Sequence, residues 1–131
     1  MKLPEFKTRH IDREKAMHCV GFGWHGLLDD IYDTFEKENV VVDTIKEKFG
    51  GLRIYADAPE ATFEKMRPLI DKIEQLSFQT CETCGAPGVL RNRPWLKTLC
   101  DEHSDGSLPL FKEFKEFVAP QLELFEEYNE L

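Results

Sequence analysis

Cysteine and histidine are scarce in this sequence, four of each in 131 residues, and the usual signatures of catalysis are missing altogether. There is no G-x-S-x-G elbow, no P-loop, no dinucleotide glycine fingerprint and no H-E-x-x-H pairing. Hydrolases, nucleotide-phosphate enzymes and zinc proteases built on those motifs are thereby excluded, and the expectation is a protein that is not an enzyme. Long apolar runs are missing too. The opening MKLPEFKTRHIDREKAMHCV is charged throughout and holds no stretch of signal-peptide or membrane-spanning length. The reading is a cytoplasmic protein with no membrane partner, where a reducing environment favours metal ligation or free thiols over disulfides. No internal repeat or low-complexity linker breaks up the chain. With 41% hydrophobic residues, the length suits one compact domain and a small appendage.

An excess of positive charge is also lacking, since the formal net charge is −8, but the deficit is local. Residues 1–99 carry 15 Lys+Arg against 16 Asp+Glu, whereas residues 100–131 carry 2 against 9. The body is therefore close to neutral and free to hold basic patches, while the tail is acidic.

What is present reads as α+β: helix, antiparallel hairpin, helix, then a zinc-ribbon or treble-clef-like finger and an amphipathic C-terminal helix. GWHGLLDDIYDTFEKEN spaces Trp24, Leu27, Leu28, Ile31 and Phe35 along one helical face, with acids opposite and near its start. Gly21, Gly23 and Gly26 imply a flexible or closely approached entry. VVVDTIKEKFGGLRIYADA reads as a hairpin turning at Gly50-Gly51, with Phe49 opposite Leu52, Glu47 opposite Ile54 and Ile45 opposite Ala56. In that register Lys46, Lys48, Arg53 and Tyr55 form the outer face. Glu47 falls on the apolar face, which requires either a bulge or edge position that lets it reach water, or a buried pairing. Asp57 is the expected cap of a second helix carrying Phe63, Met66, Ile70 and Ile73, bent or restarted at Pro68. Residues 1–79 form this helix–hairpin–helix body, residues 80–104 the finger and residues 105–131 the tail.

The finger carries the strongest chemical signal. Cys81 and Cys84 precede Gly85 in a C-x-x-C-G knuckle, and Cys100 with His103 supplies a second pair at the same spacing. Two such pairs match the four sulfur and nitrogen ligands of one structural zinc ion. A short hairpin through residues 92–94 would bring the pairs together. Because all four ligand positions can be filled by protein, the site reads as a structural staple and not as a catalytic centre. Cys19, outside this unit, is expected to be a buried apolar residue. His25 and Asp29, four apart on the first helix, are a weaker second candidate, more simply read as an exposed histidine beside acids.

The segments GWHGLLDD, IKEKFGGLRIY, CETCGAPGVLR and WLKTLCDEH together resemble a family of small bacterial and bacteriophage proteins without an assigned activity, over residues 21–103. That resemblance implies a prokaryotic or phage source and a zinc finger ligated by Cys81, Cys84, Cys100 and His103.

Two functions follow as expectations. The first is a zinc-stabilised protein-interaction module, such as a phage-type inhibitor or modulator of a host or defence complex. Its partner-binding anchors would be Phe111, Phe114 and Phe125 of the acidic tail, unless that stripe covers the protein's own core. The alternative is a small nucleic-acid-binding zinc protein using Lys46, Lys48 and Arg53 of the hairpin with Arg91, Arg93 and Lys97 of the finger, interleaved with Tyr55 and Trp95.

Overall fold

The computed structural model describes residues 10–110, and it is mixed helix and sheet in the expected order. A short helix α1 (Arg13–Met17) leads through a 3₁₀ turn at Phe22–Trp24 into α2 (His25–Phe35). The hairpin strands β1 (Val41–Lys48) and β2 (Gly51–Asp57) follow, then α3 (Glu60–Ser77). A second, smaller hairpin, β3 (Val89–Arg91) and β4 (Lys97–Leu99), ends in a 3₁₀ turn at Asp101–His103. The two hairpins are separate antiparallel sheets. The expected C-terminal helix with Phe111, Phe114 and Phe125 lies outside the described residues. No helix among the described residues is long and apolar enough to cross a membrane.

The core forms where the apolar stripes meet. Trp24, Leu28, Ile31, Tyr32 and Phe35 of the first helical unit pack with Val42, Ile45, Leu52 and Ile54 of the hairpin and with Met66, Ile70 and Ile73 of α3. Each element alone would leave its stripe in water, so the three layers stabilise one another through that shared burial.

Several local expectations are corrected. The hairpin turns at Phe49-Gly50, one residue earlier than expected, and Lys48 pairs with Gly51, Glu47 with Leu52 and Ile45 with Ile54. Phe49 has φ +53° and Gly50 φ +83°, the two positive values a tight two-residue turn needs. Gly51 instead begins β2, where an added Cβ would lie 2.2 Å from the Phe78 ring. The register irregularity falls between Val42 and Thr44, away from the glycines, and restores the alternation that keeps Lys46, Lys48, Arg53 and Tyr55 off the core face. Asp57 ends β2, and the helix cap is Pro59, without a side-chain hydrogen bond. α3 continues through Pro68 and does not restart there, since one missing N–H is tolerated in a helix held by its buried face. α2 has no acid in its first turn. Its acids Asp29 and Asp33, together with Glu36, converge on Arg13 of α1, at 3.2, 2.8 and 2.7 Å. Cys19 is exposed, its Sγ donating to the Lys15 carbonyl.

Candidate metal centre and the cleft beside it

The finger is built by backbone before any metal is considered. Cys81 donates to the Ala86 carbonyl at 2.8 Å and Gly85 to the Cys81 carbonyl at 2.9 Å, closing a tight knuckle. Gly85 turns with φ +85°, and Ala86 N–H points at Cys84 Sγ, 3.5 Å away. On the other side β4 delivers Cys100, and the following 3₁₀ turn, closed by His103 N–H on the Cys100 carbonyl, swings the imidazole back.

Cys81, Cys84, Cys100 and His103 are thus brought together with their ligand atoms all within 4.8 Å of one another, a cluster that could hold a metal ion. Cys84 Sγ lies 3.7 Å from Cys100 Sγ, and His103 Nδ1 lies 3.2 Å from Cys100 Sγ and 3.9 Å from Cys81 Sγ. Burial opposes ionisation of Cys81, but N–H groups of Cys100, Cys84 and Thr83 aimed at its sulfur outweigh that and bring its pKa down to about 6. At Cys84 the Ala86 N–H favours the thiolate, yet desolvation and the crowding sulfurs of Cys100 and Cys81 prevail and push its pKa up. Three thiols in so small a space can ionise together only beside a cation, which is the chemistry this donor set fits.

The finger is fastened to the body at named points. Gly23 N–H donates to the Glu82 carbonyl at 2.8 Å, and a Cβ at Gly23 would overlap the Cys81 carbonyl. Trp24 Nε1 donates to the Thr80 carbonyl at 2.9 Å. Thr98, fully buried, donates its hydroxyl to the Gly50 carbonyl at 2.7 Å, and its N–H donates to the Glu82 carboxylate at 2.9 Å. Glu47, the apolar-face anomaly, accepts from Gly50 N–H at 2.7 Å and from Trp95 Nε1 at 3.3 Å. It is a half-buried strut between the hairpin turn and the finger loop, with no bulge at the glycines and no buried ion pair, and it agrees with the expected edge position, since β1 belongs to a two-stranded sheet. Thr98 and Glu82 carried no recognisable signal in sequence, because their roles depend on the two hairpins meeting.

The expected basic residues divide three ways. Lys46, Lys48 and Arg93 line one cleft of about 580 Å³ together with Phe49, Pro94 and Trp95. Arg53 lies directly opposite Lys46 in the hairpin, and its Nε is enclosed without a hydrogen-bond partner, while Lys97 is half-buried in β4. Arg91 does not belong to this surface. It is 4% exposed and turned inward, donating to the carbonyls of Leu99 and Ser107 and to Asp101, because β3 needs a multidentate donor to bind the strap of residues 101–107. The first described residues of the tail continue this arrangement: Asn92 donates to the Leu108 carbonyl and Leu110 to the Leu90 carbonyl, so the chain runs antiparallel beside β3.

The His25–Asp29 candidate is not assembled. His25 Nε2 lies 3.4 Å from the Val20 carbonyl and its ring meets Phe22 edge-on, whereas Asp29 is engaged by Arg13. No protein-family model, curated protein or solved structure matches the chain.

Proposed function

We propose that the protein is a non-enzymatic interaction module held together by one structural zinc ion, and that its ligand surface is the cleft where the hairpin tip meets the finger loop. Tetrahedral zinc at about 2.3 Å from each sulfur would set two sulfurs about 3.8 Å apart, close to the 3.7 Å between Cys84 and Cys100. Three thiolates and one imidazole fill all four positions, leaving none for a substrate. Such a site contributes on the order of 10 kcal/mol to folding a segment whose own apolar core is small. Here that core is Leu99 with Cys81, Cys100 and Ala86.

The observation that carries the ligand reading is the pair Phe49 and Trp95, 66% and 68% exposed, at a cleft flanked by Lys46, Lys48 and Arg93. Among the described residues none of these cations makes an ion pair. Lys48 Nζ lies over the Phe49 ring, 5.8 Å from its centroid, and exposed aromatic rings beside cations free of ion pairs suit a polyanion with planar groups, which favours nucleic acid as the partner of this surface. The test is retention of the zinc-loaded protein on nucleic acid at rising salt, where phosphate contacts weaken steeply. Lys48→Glu with Arg93→Glu is expected to abolish retention, and undiminished retention would refute the assignment of the cleft.

The acidic tail supports a second, protein-directed reading, that of a phage-type modulator whose carboxylates and Phe111, Phe114 and Phe125 occupy a basic protein surface. Paired Phe114→Ala and Phe125→Ala is then expected to abolish capture of a host partner with zinc content unchanged. Loss of fold stability instead would return the stripe to the protein's own core.

A further inference from the structure

We infer that the cleft takes single-stranded nucleic acid, an unpaired base stacking on the exposed rings of Phe49 and Trp95 while the flanking phosphates meet Lys46, Lys48 and Arg93. The inference rests on the cleft being the ligand surface and adds the form of the nucleic acid and the groups that read it.

Three features point this way. First, Phe49 occupies a turn position with φ +53°, where glycine, asparagine or aspartate is favoured and a bulky aromatic residue is costly. The position does not serve the core, since the ring is 66% exposed. Second, one carboxylate sets both aromatic platforms. Glu47 holds the turn through Gly50 N–H and holds the Trp95 indole by its ring nitrogen, so the hydrogen bond steers the edge of the indole and leaves a face open. Glu47 is therefore a positioning residue, and its charge is already engaged by two donors. Third, Lys46, Lys48 and Arg93 line this one cleft, and among the described residues none of them makes an ion pair.

The form of the ligand follows from the shape of the surface. A duplex keeps its bases stacked inside, out of reach of ring faces at a hairpin tip, and the described finger offers no α-helix to enter a major groove. A single strand can present a free base to each ring, and stacking is tolerant of sequence because every base has a π-face.

The experiment titrates the zinc-loaded full chain with a labelled 20-nucleotide single strand of mixed sequence, an abasic strand of equal length and a 20-base-pair duplex. Trp95 gives a second readout, since the other tryptophan, Trp24, is fully buried and bonded to Thr80. The expected result is quenching of Trp95 fluorescence, and binding of the base-bearing strand at least roughly ten-fold tighter than of the abasic strand or the duplex, the scale of one stacked base. Phe49→Gly, which relaxes the turn while removing the ring, and Trp95→Ala are each expected to lower affinity by roughly ten-fold without loss of zinc. Equal affinity for abasic and base-bearing strands would overturn the stacking inference and leave the cleft as a plain polyanion site. Equal affinity for the duplex would overturn the single-strand assignment. Binding unaffected by Lys48→Glu and Arg93→Glu would remove the cleft itself. Displacement of the Trp95 signal by an acidic phenylalanine-containing peptide, with no response to any strand, would assign the cleft to protein and overturn the inference.

Discussion

Gly51→Ala is expected to destabilise the protein for a steric reason, and a second substitution should undo the effect. A methyl group on Gly51 would lie 2.2, 2.7 and 2.8 Å from three carbons of the Phe78 ring. Ordinary carbon contacts are about 3.5 to 4.0 Å, so the ring has to retreat by more than about 1 Å. Phe78 is the C-cap residue of α3 and its backbone is fixed by N–H bonds to Gln75 and Leu76, so the retreat falls on the side chain and on the β2–α3 packing. Overpacking of this kind costs about 1 to 3 kcal/mol. Phe78→Ala alone loses apolar contact, but in the double variant the new methyl enters the vacated space. The pair should therefore be less destabilised than the two single effects added together, by at least about 1 kcal/mol. Gly50→Ala differs. There the added methyl would meet Leu90 Cδ1 at 2.3 Å and also sit at φ +83°. Shortening Leu90 relieves the contact, while the left-handed conformation still costs about 1 to 2 kcal/mol. Urea unfolding of the zinc-loaded proteins, compared at a common slope, measures all of these. A Gly51→Ala protein as stable as the parent, or strict additivity with Phe78→Ala, would refute the packing argument.

Elemental analysis is expected to find one zinc per chain in the parent and none in Cys100→Ser, and that variant is expected to lose amide protection through residues 80–104. Because Thr98 holds the Gly50 carbonyl and Trp95 is bonded to Glu47, the loss should spread to the hairpin tip while α2 and α3 stay protected; a metal-free protein with unchanged protection would contradict this. Arg91→Ala leaves the Leu99 and Ser107 carbonyls without their donor and is expected to cost about 3 kcal/mol in urea unfolding, with the salt dependence of nucleic-acid binding unaltered. For Glu74, burial raises the carboxyl pKa more than the Ile54 N–H bond lowers it. A carboxyl raised by folding keeps its proton longer in the native state, so its contribution is fully present below the unfolded pKa and is lost as pH rises through the folded pKa. Glu74→Gln should therefore gain stability relative to the parent on going from acidic to neutral pH, and a difference between the two melting curves that does not vary with pH would refute the burial argument.

Much of this molecule was legible in the sequence, and for identifiable reasons. Periodicity placed α2 and the buried face of α3, because a stripe at helical spacing has to be covered by something. Paired spacing singled out Cys81, Cys84, Cys100 and His103, because two short turns with matched spacing can each offer two ligands to one tetrahedral ion, and the structure brings the four together. Alternation put Lys46, Lys48 and Arg53 on one face, and the irregularity at Asp43 left that assignment intact. What pairing of distant segments controls was not legible. The turn sits at Phe49-Gly50 and not at Gly50-Gly51, in a setting where the Phe78 ring of α3 packs against Gly51 and Thr98 of β4 donates to the Gly50 carbonyl, contacts that no local window contains. Arg91 and Arg93 are two residues apart, yet one is sealed under the 101–107 strap and the other lines the cleft. Glu47 looks misplaced along its own strand, and its role is set only when the finger brings Trp95 to the hairpin tip. Local sequence determined the elements and the Cys/His cluster that could hold a metal ion, since spacing along the chain carries both; the tertiary meeting of the two hairpins decided which cations and aromatic rings share a surface, since that depends on contacts between residues about 48 positions apart.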